Sequence, residues 1–307
     1  MPGDLTEVVR RATRDDISGL AALFLEVFRE ERDERVWSWK FFDESRPGAS
    51  FVCEAGGRIV AHCGGTPVRF RDGNSEYPAF QSVDFMSSPA YAGGIGGGGV
   101  FVRTVHEFFR QMCGEGGKAP LVYGFPGERH RLLGERLLGY RPIEPVGELS
   151  LESTAANISP DELTEKALSS FDKGQFPLGG VRDRHYLRWR YLTHPVHRYR
   201  YLAMRSTFFG SKVAAILRET DECFYLMELG GGGLTTGTLR ALAAGLCRLG
   251  KPVRGWFSPS HRLAFALREA GFTFRERDHY LECRYFSKRL QPRSGEFYYT
   301  LGDYDVF

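Results

Sequence analysis

The chain has 307 residues, 42% of them hydrophobic and 26% charged, with a formal net charge of +3. This is the composition of a globular protein with ample core, and it excludes a global polyanion-binding signature. The length suits one large domain or two ordinary ones.

The opening, MPGDLTEVVRRATRDD, is polar and lacks the apolar core of a signal peptide, and no apolar run approaches a membrane span. A cytoplasmic protein with no membrane partner is the expectation. Residues 15–28 place Ile17, Leu20, Leu23, Phe24, Val27 and Phe28 on one helical face, with Asp15 or Asp16 as N-cap. A second helix fits 33–43. FVCEAGGRIVAHCGGTPVRF reads as a β-hairpin turning at Gly56-Gly57. AFQSVDFM (79–86) is the next strand. Then comes AYAGGIGGGGVFVR (90–103), in which six of the seven residues from Gly93 to Gly99 are glycine. A helix from about Val100 to Met112 follows, then a buried strand at 120–126, a helix at 128–138 and two strands at 141–144 and 146–152. The order β-α-α-β-β-β-loop-α-β-α-β-β is that of an α/β protein with a mixed central sheet and helices on both faces.

The second half repeats the first. Trp39 stands twelve residues before Phe51, and Trp189 twelve before Tyr201. GFPGERHRLLGERLLGYRP aligns with GWFSPSHRLAFALREAGFTF, which pairs His130 with His261 and Gly139-Tyr140 with Gly271-Phe272. Between these blocks lie a strand, the glycines Gly230–Gly233 and an amphipathic helix. Two tandem domains, 1–155 and 156–307, are expected. The second starts near Ser159-Pro160 as N-cap and N1 and lacks a first strand. Trp189 belongs to the core by its match to Trp39, with the neighbouring arginines on the wet face.

A loop of bare backbone leading into a helix is an anion site, because its N–H groups point outward and the helix dipole adds positive charge. A P-loop fails, since Gly99 is followed by Val100-Phe101 rather than Lys-Ser or Lys-Thr. Gly94, Gly96 and Gly99 match a dinucleotide fingerprint only as any glycine run would, and SSPAYAG separates them from the strand. The sequence of strand, loop with Pro89 and Tyr91, glycine turn and helix resembles motif A of the GNAT acyltransferase superfamily. GYRP and GFTF resemble that family's step from its last helix into the next strand. The resemblance covers nearly the whole chain as two tandem GNAT-like copies.

The resemblance implies that acetyl-CoA is bound as a substrate. Its pyrophosphate would lie on Gly93, Gly94, Ile95, Gly96, Gly97, Gly98, Gly99 and Val100. Two neighbouring strands would splay apart, freeing backbone at Phe85-Met86 to polarise the thioester. Two departures stand out. Ala92 sits where the family's loop carries arginine, and the loop is longer than usual. The second copy, LGGGGLTTGTL, has no Pro-x-Tyr entrance, so the coenzyme belongs to the first.

For the chemistry, the resemblance makes Asp84 the candidate base, at about the spacing of the family's carboxylate. Strand alternation puts it on one face with Ser82 and Met86 and puts Phe85 on the other. The family's acid is a tyrosine on the last helix; here that position holds Glu135 in one copy and Leu267 in the other. Tyr91, Tyr123 or a water is left to serve, and Tyr91 is carried as the second catalytic candidate. Glu228 occupies the strand matching that of Asp84. The six scattered cysteines and His185, His194 and His197 lack ligand spacing, so no metal is expected. The implied activity is transfer of an acetyl or other acyl group from coenzyme A to an amine of a small molecule. A non-catalytic acyl-CoA-binding or scaffold protein stays open. So does a FemABX-like aminoacyl transferase, the one reading that calls for tRNA, held by the arginines and aromatics of RDRHYLRWRYLTHPVHRYRY. A homodimer is compatible with each.

Overall fold

Gly56 and Gly57 have φ of 56° and 73°, the backbone of a tight hairpin turn, and Ala55 faces Arg58 across it. The structure, a computed structural model, describes residues 6–91, 98–114, 118–171, 176–205, 211–288, 290 and 293–304. The first half runs β1 (Glu7–Arg11), α1 (Ile17–Phe28), α2 (Glu34–Phe41), β2 (Ala49–Ala55), β3 (Arg58–Asp72), β4 (Ser75–Ser87), α3 (Val100–Met112), β5 (Leu121–Gly124), α4 (Glu128–Leu133) and β6 (Arg141–Leu151). The second runs β7 (Asp161–Glu162), α5 (Glu165–Leu168), β8 (Leu178–Gly180), α6 (Arg184–Leu187), β9 (Arg200–Arg205), β10 (Lys212–Glu219), β11 (Phe224–Gly231), α7 (Thr236–Leu246), β12 (Val253–Phe257), α8 (Arg262–Glu269) and β13 (Thr273–Tyr285).

The chain forms two compact units. Unit 1 comprises Met1–Arg69, Tyr77–Pro142 and Glu282–Gln291; unit 2 comprises Phe70–Glu76, Ile143–Leu281 and Pro292–Phe307. In unit 1 the strand order is β1-β2-β3-β4-β5, completed by the last residues of β13. Glu282 to Tyr285 run antiparallel to β5, with Glu282 opposite Gly124. Alternation along β2 builds a core on each face. Phe51 packs with Phe80, Phe108 and Val122 under α3, while Val52 packs with Leu20, Phe24, Trp37 and Phe41 of α1 and α2.

In unit 2 the order is β7-β9-β10-β11-β12-β6-β13. It repeats unit 1 at one telling place. The parallel pair β4–β5 is in register only from Ala79↔Leu121 to Gln81↔Tyr123, and β11–β12 only from Phe224↔Val253 to Leu226↔Gly255. Beyond those points each pair parts.

Four expectations are corrected. The two strands expected at 141–152 are one, β6, because its registered pairing to β12 covers Gly147–Leu151 and asks nothing of the N–H that Pro145 lacks. Ser159-Pro160 starts no helix. The Leu163 amide donates to the Tyr199 carbonyl and draws this segment onto β9 as a short first strand, and Thr164 caps the helix that follows. The helix expected at 128–138 is α-helical over Glu128–Leu133 and widens into a π turn over Gly134–Leu138. Trp189 is buried as expected, but Arg182 and Arg190 beside it are buried too. Arg190 donates to the Gly302 and Tyr304 carbonyls and the Tyr199 hydroxyl, which leaves Arg184, Arg188, Arg198 and Arg200 as the exposed ones. Among the described residues, no helix is long and apolar enough to cross a membrane.

Arg182 in turn donates to Glu228 at 3.0 Å and pairs with Asp303, while the Tyr298 hydroxyl donates to Glu228 at 3.2 Å. Burial raises the Glu228 carboxyl above its ordinary range, and Arg182 opposes that rise. Breaking a buried pair by deleting one partner typically costs ~3–5 kcal/mol, because a charge is left uncompensated. Arg182→Met is expected to lower stability by about that amount in urea unfolding at pH 7, whereas Arg184→Met, at an exposed pair, shifts it by less than about 1 kcal/mol.

Candidate functional site

The site is built on the parting of β4 from β5, and Asp84 stands just beyond the last registered pair. Asp84 has a φ of 52°, rare for a residue with a side chain. Its effect shows in the packing. Val83 and Met86 share the cluster under α1 and α2, whereas Phe85 turns to the other face, its ring 6.0 Å from that of Phe101 on α3. Residues three apart cannot share a face in a regular strand, so β4 carries a bulge at Asp84. The alternation expected from sequence, with Asp84 beside Met86, therefore does not hold.

A clamp holds the bulge. The Asp84 side chain pairs with Arg32 through one oxygen and accepts from Lys40 Nζ at 2.7 Å through the other. Lys40 is 1% exposed. Arg32 lies over the Phe24 ring, 3.9 Å from its centroid. Burial alone would raise the Asp84 carboxyl; Arg32 and Lys40 outweigh it and hold the group well below the usual carboxylate range. The backbone is held as well. His62 Nδ1 donates to the Asp84 carbonyl at 2.7 Å, which fixes the tautomer, so Nε2 accepts from the Ser50 hydroxyl at 3.0 Å. Burial pulls the imidazole down to about 4, so it is neutral at pH 7.

On the other side of the parting, the Ser82 hydroxyl donates to the Tyr123 carbonyl at 3.1 Å, bridging the strands just past their last registered pair. Beside this bridge Glu282 faces Gly124. Glu282 is 5% exposed, and its Oε2 has no hydrogen-bond partner. Its carboxyl is pushed up to about 8 by burial, with Glu135 adding to the rise and Arg131 opposing it. The buried Tyr140 hydroxyl belongs to the same electrostatic group, between Ser82 and Glu282.

The remaining predicted residues fall as follows. Tyr91 ends a short 3-10 turn and packs with Cys53, Val60 and Val100, at the entrance to α3. Gly93, Gly94, Ile95, Gly96 and Gly97 lie outside the described residues. Gly99 is the N-cap of α3, so among the described residues the first N–H groups of this 13-residue helix have no side-chain cap. Val100 is buried, and Met86 offers only its backbone, since its side chain packs toward α1 and α2. Among the described residues no group of three His, Cys, Asp or Glu could hold a metal ion.

Unit 2 has the same parting, and the chain's own tail fills it. Thr300 bridges to Phe257 of β12, and its hydroxyl donates to the Met227 carbonyl of β11 at 2.8 Å. The Tyr298 hydroxyl reaches the Leu229 carbonyl at 3.3 Å. Arg32, His62, Lys40 and Glu282 were not singled out from sequence. The repeat carried a signal for two of them: the spacing that joins Trp39 to Trp189 also joins Arg32 to Arg182 and Lys40 to Arg190. Nothing local marks Glu282, whose partners come from the other end of the chain.

Residues 8–134 match the family described as acetyltransferase (GNAT) domain. No curated protein matches the chain in sequence. Among solved structures, it is similar to a GCN5-related N-acetyltransferase from Kribbella flavida, at a TM-score of 0.62 and 14% identity over 92% of this chain and 71% of that one. It is similar to another from Anabaena variabilis ATCC 29413, at 0.61 and 10% identity over 92% and 73%. A third is a conserved protein of unknown function from Enterococcus faecalis V583, at 0.64 and 14% identity over 92% and 73%. Residues 8–134 carry a GNAT acetyltransferase domain, and the mixed α/β architecture of the chain is the fold of these neighbours.

His62 and Asp84 make the clamp sensitive to acid in the same sense. Each has a folded pKa below its unfolded one, so the unfolded chain binds more protons and stability is lost as pH falls. Stability is expected to drop as pH is lowered from about 6.5, the ordinary value for histidine, towards 4. Lys40→Met is expected to cost about 3–5 kcal/mol at pH 7, measured by urea unfolding.

Proposed function

We propose that the protein transfers an acyl group, acetyl in the simplest case, from coenzyme A to an amine of a small molecule, and that unit 1 carries the reaction. The observation that supports this most is the contrast between the two partings. In unit 1 the bulged strand runs toward the uncapped start of α3; in unit 2 Tyr298 and Thr300 occupy the equivalent gap.

In this reading the coenzyme's pyrophosphate lies at the start of α3, against backbone N–H groups at Gly98, Gly99 and Val100 and the glycines before them. The helix dipole favours its charge. The pantetheine arm enters between β4 and β5. Backbone at Phe85-Met86, turned by the bulge, donates to the thioester oxygen and stabilises the charge that develops there. Asp84 is assigned a positioning role. A free base needs an oxygen to receive a proton, and both Asp84 oxygens already face cations. The incoming amine then gives up its proton to water. Tyr91 packs at the coenzyme entrance and is assigned a contact with the ligand.

Coenzyme A or acetyl-CoA at a hundredfold excess over Kd is expected to stabilise the protein by about 2.7 kcal/mol, read as a rise in Tm. Gly99 has φ −65° and ψ 154°, which valine adopts without strain, so Gly99→Val tests the phosphate position without testing the fold. It is expected to abolish the ligand-induced shift and leave the unliganded Tm within a few degrees. Binding without turnover across a broad panel of amines would favour the non-catalytic acyl-CoA-binding alternative.

A further inference from the structure

The acyl transfer proposed above must end with a proton on the departing thiolate, and the residue at the family's acid position, Glu135, is paired with Arg131. We propose that Glu282, brought into unit 1 by the strand from the far end of the chain, is the catalytic acid that protonates the leaving thiolate. This inference rests on the acyl-transfer reading of unit 1.

Placement carries it. Glu282 faces Gly124 in register, and cross-strand partners present their side chains on the same face of a sheet. Gly124 is the first residue of β5 beyond the last pairing with β4, so Glu282 stands level with the start of the parting, across β5 from it. Gly134 on the π turn lies directly over it. A Cβ built there would come within 3.2 Å of Oε1, so glycine leaves the room the carboxyl needs. Buried polar atoms are nearly always satisfied, and an orphaned oxygen at 5% exposure calls for a partner. The charged neighbours are Arg131, which is paired with Glu135, and Glu135 itself. Among the described residues no cation lies within ion-pair distance of Glu282, in contrast to the two that hold Asp84. A carboxyl in such a setting keeps its proton at neutral pH, as an acid must.

The step balances. The amine nitrogen bonds to the acyl carbon, the C–S bond breaks, and its electron pair stays on sulfur. The Glu282 O–H passes its proton to that sulfur, giving the free thiol and a carboxylate. The proton lost by the amine enters water, and water returns one to Glu282.

The test compares wild type with Glu282→Gln in release of free thiol from acetyl-CoA, using an amine that wild type accepts and following the rate across pH 6 to 10. The expected result is a kcat lower by roughly 10²-fold or more, in the range of general acid catalysis, with KM for acetyl-CoA little changed. The wild-type fall in kcat above about 8 is expected to vanish in the variant. Glu282→Asp, which keeps a proton to give, is expected to restore part of the rate and the alkaline fall; it also stands in if the glutamine variant does not fold. A glutamine variant with wild-type kcat and the same alkaline fall would overturn the assignment and leave acyl transfer standing. If wild type neither binds acetyl-CoA nor turns over any amine, the reading of unit 1 fails and this assignment falls with it.

Discussion

The candidate site depends on a single carboxylate that does not itself react. Asp84 adopts a left-handed backbone in the middle of a strand, a conformation that costs of order 1–3 kcal/mol and persists only when its surroundings enforce it. Here they do so from three directions: Arg32 and Lys40 hold the carboxylate, and His62 holds the carbonyl. The clamp reaches further through Ser50 on β2, so two neighbouring strands and the segment after α1 all specify one bend in β4. Removing one buried and one half-buried cation from water is expensive, and an apolar core would fill the same space at less cost. What the ions add is a defined place for the strands to part, which apolar packing cannot specify to one residue.

The two units treat such a place differently. Arg182 stands where Arg32 stands, and Glu228 takes the anionic role on the matching strand. In unit 2, however, the tail supplies Asp303 as a second anion and Tyr298 and Thr300 as hydrogen-bond partners for β11. Phe176 stacks on Tyr298 with centroids 3.4 Å apart. Backbone groups that a parted strand leaves exposed must be satisfied. Unit 2 meets part of that demand from its own chain, and unit 1, in the function proposed above, meets it with a ligand. The same physics therefore separates a structural copy from the copy proposed to bind coenzyme.

Much of the fold was legible because it rests on local rules. The helix beginning at Val100, the glycine turn at 56–57 and the buried tryptophans follow from periodicity, turn chemistry and repetition. The bulge was not legible, since alternation assumes a regular strand and nothing near Asp84 announces a positive φ; glycine would have, and aspartate does not. The partners of the Asp84 carboxylate come from α2 and the segment before it, more than forty residues earlier in the chain. Glu282 was hidden for a related reason. Its sequence neighbours predict a strand, but which sheet that strand joins, and hence what the carboxyl faces, is a matter of long-range pairing.

The central claim is that the parting held open by the Asp84 clamp, and not its counterpart in unit 2, receives the coenzyme. Hydrogen–deuterium exchange of the intact protein with and without coenzyme A tests it most directly, because backbone N–H groups are the proposed ligands. The account predicts slower exchange in peptides covering 83–88 and 98–104, with no change in those covering 226–238. Slowing confined to the peptides of unit 2, or its absence from both units at saturating ligand, would contradict it.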